Sequence, residues 1–451
     1  MDGFHINKLL LVLTLLSISN LQSQEFVFSG EVAASGIISN QEDIPFWMYT
    51  NTGTARGNQT NFNSTLSSLV YYTKENVQLR LGVSGFYRDG VADEFQRKEI
   101  YLEFQNRWLK ATLGAKERDE QVMGLSATNK NFLWSGNARS IPGLLLQANQ
   151  PVRISQTFSL DWGIGHYQLN DDRYVPDVNI HYKHLALIVT FNENSVLTAK
   201  IQHFAQWGGN SPDYGDLPTG LKAFSNVFFA LKAVETGTEP FNLNRVGNHL
   251  GSYFVEYEFG TGHGRFSIYH EHPFEDASGT RFDNFPDGVW GLQYTPHAEG
   301  IIKTVLYEYL DTSDQSGVSV ASGIDGYFGN NVYRSGWSYE KHVIGIPFIV
   351  YDRAVVQNSI NSPYVSNRSR VHHLGVAGII RGIDWKLKTS FAQYLGTFRK
   401  PYITTLNAWY NYLSLTYRTE SYGTFAIVSG ADFNNLSETI AGGGIEYSYS
   451  F

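Results

Sequence analysis

Apolar and polar residues alternate at period two along most of this chain, and nothing else in the sequence restricts its fold as much. Successive side chains of a strand point to opposite faces, so each alternating run describes a strand whose two sides meet different surroundings. Val77, Leu79, Leu81 and Val83 share one face, with Gln78, Arg80, Gly82 and Ser84 on the other. Ile100, Leu102 and Phe104 oppose Tyr101, Glu103 and Gln105, while Leu197, Ala199 and Ile201 oppose Thr198, Lys200 and Gln202. Tyr253, Val255, Tyr257 and Phe259 oppose Glu256 and Glu258; Trp385, Leu387 and Phe391 oppose Lys386, Lys388 and Ser390. Soluble β-sandwiches alternate as well, but 451 residues of them should break into domains joined by linkers, and no Pro-rich, Ser-rich or low-complexity linker occurs. Glu, Lys, Arg and Gln opposite aromatic and aliphatic residues are what a wall needs when one face meets a wet lumen and the other meets lipid.

These features predict an all-β chain folded as a transmembrane antiparallel β-barrel with a polar lumen partly filled by loops. In lipid every backbone N–H and C=O must be paired, and closure alone removes the unpaired edges of a sheet. The aromatic share of 15 % supplies interfacial girdles, and the charged share of 17 % lies below that of soluble domains. About 430 residues beyond an export signal suit about 16 to 18 strands at roughly 10 residues each plus turns and loops. The last run sets Ile445, Tyr447, Tyr449 and Phe451 on one face and Glu446, Ser448 and Ser450 on the other. It resembles the terminal signal by which barrel assembly machinery recognises outer-membrane clients, so that machinery and outer-membrane lipid are expected partners.

Residues 1–23 read as a cleaved signal peptide, with Lys8, an apolar core from Leu9 to Leu16, and cleavage after Ser23. That core is far shorter than the roughly 20 apolar residues of a membrane-spanning helix, and no later stretch reaches that length. Residues 24–76 are expected to lead into a barrel spanning 77–451. The absence of cysteine excludes disulfides, a thiolate metal site, a Cys nucleophile and an N-terminal lipidated cysteine. A net charge of -8 argues against a nucleic-acid partner, which needs a basic patch.

Several segments look too particular for a lipid-facing wall: Phe132 to Leu144 (FLWSGNARSIPGL), which breaks the alternation with Gly136, Pro142 and Gly143 and is expected to be a loop or a segment folded into the lumen, His166 to Asp177 (HYQLNDDRYVPD), Gln206 to Asp216 (QWGGNSPDYGD), His270 to Gly279 (HEHPFEDASG), Phe285 to Leu292 (FPDGVWGL), Asp311 to Gly317 (DTSDQSG) and Asn330 to Pro347 (NNVYRSGWSYEKHVIGIP). In this order they resemble the capsule assembly Wzi family of outer-membrane proteins, in its Bacteroidetes-type form. The resemblance implies a barrel that acts as a lectin, holding exported capsular or exopolysaccharide at the cell surface. One departure matters: enterobacterial members carry a small helical bundle before the barrel, whereas residues 24–76 here are rich in Gly, Asn, Thr and Ser and show no helical period.

The chemistry of these segments agrees with that implication. A sugar offers C–H faces to aromatic rings and hydroxyls to oriented donors and acceptors. Asp171, Asp172, Arg173 and Tyr174 form one such mixture and Trp207, Asn210, Asp213 and Tyr214 a second, so these eight are the candidate polysaccharide-binding residues. Arg and Lys suit an acidic polymer. Catalytic readings have less behind them. His270 and His272 share a face but lack an identifiable third metal ligand, and Glu256 and Glu258 on one strand do not flank a bond as glycosidase carboxylates must. No enzyme, cofactor or metal is therefore expected. The runner-up function is a diffusion channel, since a barrel of this size encloses room for a water-filled lumen.

Overall fold

The structure is a computed structural model and describes residues 26–231, 246–275, 277–298, 300–317, 326–355 and 363–451. The expected signal peptide, residues 1–23, lies outside them. The first half of the wall comprises β1 (Phe26–Ser39), β2 (Phe62–Lys74), β3 (Val77–Arg88), β4 (Phe95–Gln105), β5 (Leu109–Ala115), β6 (Gly143–Ala148), β7 (Phe158–Leu169), β8 (Val178–Asn192) and β9 (Ser195–Trp207). The second half comprises β10 (Asn248–Gly260), β11 (Gly264–Phe274), β12 (Gly288–Pro296), β13 (Ile302–Asp311), β14 (Arg368–Ile380), β15 (Ile383–Gly396), β16 (Pro401–Arg418), β17 (Thr424–Asn434) and β18 (Ile440–Ser450).

Each strand pairs antiparallel with its sequence neighbours, and β18 returns to β1 in register from Glu31↔Ser450 to Ser39↔Gly442, closing an 18-strand barrel. Gly30 and Phe451 complete the seam with reciprocal backbone bonds of 2.8 and 2.9 Å. A Cβ at position 30 would stand 2.5 Å from the Phe451 ring, so only glycine lets that ring lie across the seam.

The faces follow the alternation. Leu79, Leu81, Val83, Ile100, Leu102, Ile201, Val255 and Ile445 are exposed on the lipid side, whereas Glu103, Gln202, Ser252 and Ser390 are buried on the lumen side. The expected start of the barrel at Val77 is corrected, because β1 and β2 are already wall. Small residues obscured this: in FVFSGEVAASGIIS and FNSTLSSLVYYTK, Gly, Ala, Ser and Thr occupy both faces and blur the apolar period.

One end of the barrel carries short turns, such as 75–76, 193–194 and 381–382, and the other carries, among the described residues, 40–61, 116–142, 208–231, 278–287, 312–317, 326–355 and 363–367. Residues 40–61, 116–142 and 326–355 turn inward. They fill the loop-end half of the lumen with a packed core in which Trp337, Tyr327, Tyr339, Phe132, Phe328 and Phe348 are fully buried, together with Phe204 of the wall.

Lumen-side polar residues fasten this plug by its backbone. Glu271 accepts bonds from Phe132 N (2.7 Å), Ser252 Oγ (2.7 Å) and Gln202 Nε2 (2.8 Å). Glu308 accepts them from Ser126 Oγ (2.6 Å), Tyr269 Oη (2.6 Å) and Ala127 N (2.7 Å). Asp432 receives Phe46 N at 2.6 Å, and Ser390 Oγ accepts Trp47 Nε1 at 3.0 Å. A loop inside a barrel has no ladder to satisfy its amides, so the wall must supply acceptors.

Candidate functional site

The eight candidate residues divide once the chain is folded. Arg173 turns inward, donating to the carbonyls of Gly336 and Ser338 and to Asp171, each at 3.2 Å. Asp171 also accepts Glu340 N at 2.9 Å. This pair holds segment 335–340 of the plug, and neither side chain is free for a ligand. Trp207 is buried on the outer face of β9, with its ring 5.7 Å from both His166 and Phe224.

The others face outward at the loop end. Asp172, Asn210 and Asp213 are exposed, and Tyr174 and Tyr214 are half-buried. The two sequence clusters meet through Arg334, which was singled out only as part of the YRSGW stretch. Its Nη2 donates to Asp213 Oδ2 at 3.2 Å, and its guanidinium lies 5.7 Å over the Tyr174 ring. Nearby, Asn210 Nδ2 donates to Asp216 at 2.6 Å, and Ser335 Oγ accepts Tyr174 N at 2.9 Å. The result is an aromatic face, a guanidinium and carboxylates presented together on a surface that the plug supports from below.

The short-turn half of the lumen is polar and hollow. A cavity of 460 Å³ there is lined by residues of the 116–142 loop and of β4 to β10, and a second of 310 Å³ shares Lys116, Glu117, Arg118, Asn129 and Trp134 with it. Around it, the fully buried Glu103 pairs with Lys116 (2.7 Å), Arg80 (3.3 Å) and Lys110 (3.6 Å), while Lys130 pairs with Glu256. Arg118 lies 5.3 Å over Trp134. Burial pushes the Glu117 carboxyl up to about 7 despite Lys98 at 3.5 Å.

The carboxylates and imidazoles singled out in the sequence are engaged within the protein. Glu256 is engaged by Lys130 and Ser267. His270 and His272 point outside the wall and Glu271 inside, so the HEH triplet does not converge. His270 Nδ1 meets Val289 O at 3.1 Å with its ring 3.7 Å from Trp290, and His272 Nε2 meets Gly279 O at 3.2 Å. Among the described residues no three metal-ligating side chains cluster.

The model of the capsule assembly protein Wzi family matches residues 45–349. The carbohydrate-binding β-barrel Wzi of Escherichia coli, an outer-membrane protein involved in group 1 capsule assembly, superposes with a TM-score of 0.60 at 13 % identity, over 99 % of this chain and 89 % of that one. OccK3 (OpdO) of Pseudomonas aeruginosa superposes with a TM-score of 0.52 at 11 % identity, over 96 % of this chain and 97 % of that one. At these identities the likeness is one of fold. A sequence search of curated proteins gives no match.

Proposed function

The chain belongs to the capsule assembly protein Wzi family, matched over residues 45–349, and on that premise we propose that it binds exported capsular polysaccharide in the outer membrane and retains it at the cell surface without altering it covalently. The observation that carries this reading is the joining of Tyr174, Arg334 and Asp213 on the exposed loop face. An aromatic ring beside a guanidinium suits a sugar ring bearing a carboxylate, and the exposed Asp172, Asn210 and Tyr214 around it offer hydroxyl partners. Each contact is weak, but a repetitive polymer meets many copies at high effective concentration, so retention follows from avidity.

The test is binding of the purified protein to the host's own capsule, with Arg334→Ala and Tyr174→Ala measured beside the parent. Weaker binding by both, with unchanged melting, is the expected result; parent-like binding by both removes the loop face from the reading. Deleting the gene should release capsule into the medium while synthesis continues, and undiminished cell-bound capsule would sink the retention role.

A diffusion channel needs the plug out of the lumen. Glu271 and Glu308 hold that plug by buried backbone bonds, so planar-bilayer recordings of the parent protein should lack steady large openings.

A further inference from the structure

Among the described residues two segments reach the outside of the wall: the helix Gly220–Phe228, and the loop ending at Asp287, whose Phe282 and Phe285 lie outside while Asn284 and Asp287 stay bonded to Tyr327 of the plug at 2.6 and 2.8 Å. On β7 to β10 the lumen-lining residues Asp161, Tyr167, Tyr182, His184, Thr198, Lys200, Phe254 and Glu256 fix which face is inside. By alternation His166, His181, Lys183, His203, Trp207 and His249 are then on the outer face, near the loop end. The helix Gly220–Phe228 lies over this patch, with His181 and Trp207 buried beneath it and His166 exposed at its edge. Its buried Ala223 and Val227 pack with Ala205 and Trp207, and its Phe224 and Phe228 rings lie 5.3 and 5.1 Å from His181. Beneath it Lys183 Nζ donates to Phe228 O and meets His203 Nδ1 at 3.1 Å, and His203 Nε2 meets His249 Nδ1 at 2.9 Å. The next sector repeats the device with residues 282–286. Phe282 stacks on Tyr253 at 5.3 Å and lies 4.5 Å from His272, while Trp290 Nε1 donates to Pro286 O at 3.1 Å.

What these segments turn away from the wall is apolar. Leu221 is 87 % exposed and Phe229 67 %, and in the adjacent loop Phe282 is 50 % and Phe285 53 % exposed. Just below them on the same outer face stand the lipid-side residues Ile164, Leu185, Leu187, Ile201, Val255 and Ile268.

We propose that the helix Gly220–Phe228 and the loop stretch 282–286 form an interfacial flange, seated in the boundary between acyl chains and headgroups of the leaflet at the loop end. The lipid-facing wall is an established apolar surface, and the flange continues it outward without a break. Leu221 on the helix, Phe229 just past its end and two phenylalanines on the loop match the residues that an in-plane amphipathic segment buries at this depth. Exposed Lys222 keeps its ammonium toward the headgroups while its stem lies along the apolar side. The flange also explains how basic side chains sit on an outer wall, since a polar group facing hydrocarbon without a partner is costly. Here the helix supplies both a lid and a carbonyl. The footprint is one-sided, confined to the arc from β7 to β12.

The inference rests on the barrel spanning a bilayer and is independent of polysaccharide binding. The chain has no cysteine, so single Cys variants accept a bimane label cleanly. In proteoliposomes of the full chain, Leu221→Cys, Phe229→Cys and Phe282→Cys are compared with Leu185→Cys on the wall and Ser437→Cys in the exposed β17–β18 loop. Flange labels are expected to lose most of their fluorescence to lipid carrying a nitroxide shallow on the acyl chain, less to a deep nitroxide, and little to iodide; Ser437→Cys should show the reverse. Iodide quenching at all three flange sites as at Ser437→Cys overturns the flange while leaving the wall intact. Protection from both quenchers would place another protein there and equally overturn the lipid assignment. If Leu185→Cys also escapes the nitroxides, the membrane-spanning reading falls with it.

Discussion

Replacing Glu308 with alanine should loosen the lumenal arch around Ser126 and Ala127 while leaving the barrel wall closed. Glu308 is fully buried and accepts two hydroxyls and one backbone amide. Without the carboxylate, Ser126 and Tyr269 can rotate their O–H groups towards other acceptors, but the Ala127 N–H is fixed by the chain. A buried donor left unsatisfied costs about 1–3 kcal/mol. Taking about 2 kcal/mol for this amide, at about 1.4 kcal/mol per factor of ten, local opening becomes roughly 30-fold more frequent. The assay is hydrogen–deuterium exchange on the protein in lipid nanodiscs. Peptides covering 125–134 should exchange roughly 30-fold faster, while those of β13 beyond the site keep parent rates because the strand ladder is untouched. Glu308→Gln, which keeps one acceptor oxygen, should fall between. Parent-like exchange of the arch in Glu308→Ala would refute the view that wall carboxylates hold the plug, and so would equal acceleration in the wall.

Other consequences bear on the plug and the loop face. Arg334→Ala removes the guanidinium offered to an acidic capsule, so binding should weaken by about 1 kcal/mol, roughly fivefold, while loss of its partly exposed ion pair to Asp213 should leave melting nearly unchanged; titration against the purified polymer measures it. Glu117 has a folded value of about 7 against an ordinary 4.5, so its neutral form is the one the fold favours. Its contribution is complete below about 4.5 and is lost as pH rises through about 7. Exchange protection of the 116–142 loop should therefore decline over that window in the parent, and Glu117→Gln should flatten the profile. Gly345→Ala places a Cβ 2.4 Å from Phe328 Cζ and 2.7 Å from the Phe132 carbonyl. Overpacking of this kind costs about 1–3 kcal/mol, and protease cleavage within 312–367 on the assembled barrel should accelerate.

The barrel was legible in the sequence because a membrane wall writes itself locally. Each of β3, β4, β9, β10, β15 and β18 separates a lipid face from a lumen face at period two, and the structure keeps every one of those assignments. The same rule hid β1 and β2, where small residues serve both faces. The break at Phe132 to Leu144 also marked a segment that leaves the wall, and residues 132–142 do turn into the lumen before Gly143 re-enters it as β6. The direction and partners of the departing segments were a different matter. Nothing in HYQLNDDRY distinguishes an Arg173 that satisfies carbonyls of residues 336 and 338 from one that greets a ligand, because those carbonyls lie more than 160 residues away. Likewise HEHPF cannot reveal that its histidines point outside and its glutamate holds Phe132 N, nor can Trp207 announce a helix from further along the chain lying over it. The sequence alone determined a closed wall with its two faces, since alternation is a property of neighbours. Only the tertiary structure decided that the loop end is packed rather than open, that Arg334 joins Tyr174 to Asp213, and that two segments reach the outside of the wall, since each depends on loops meeting across the barrel.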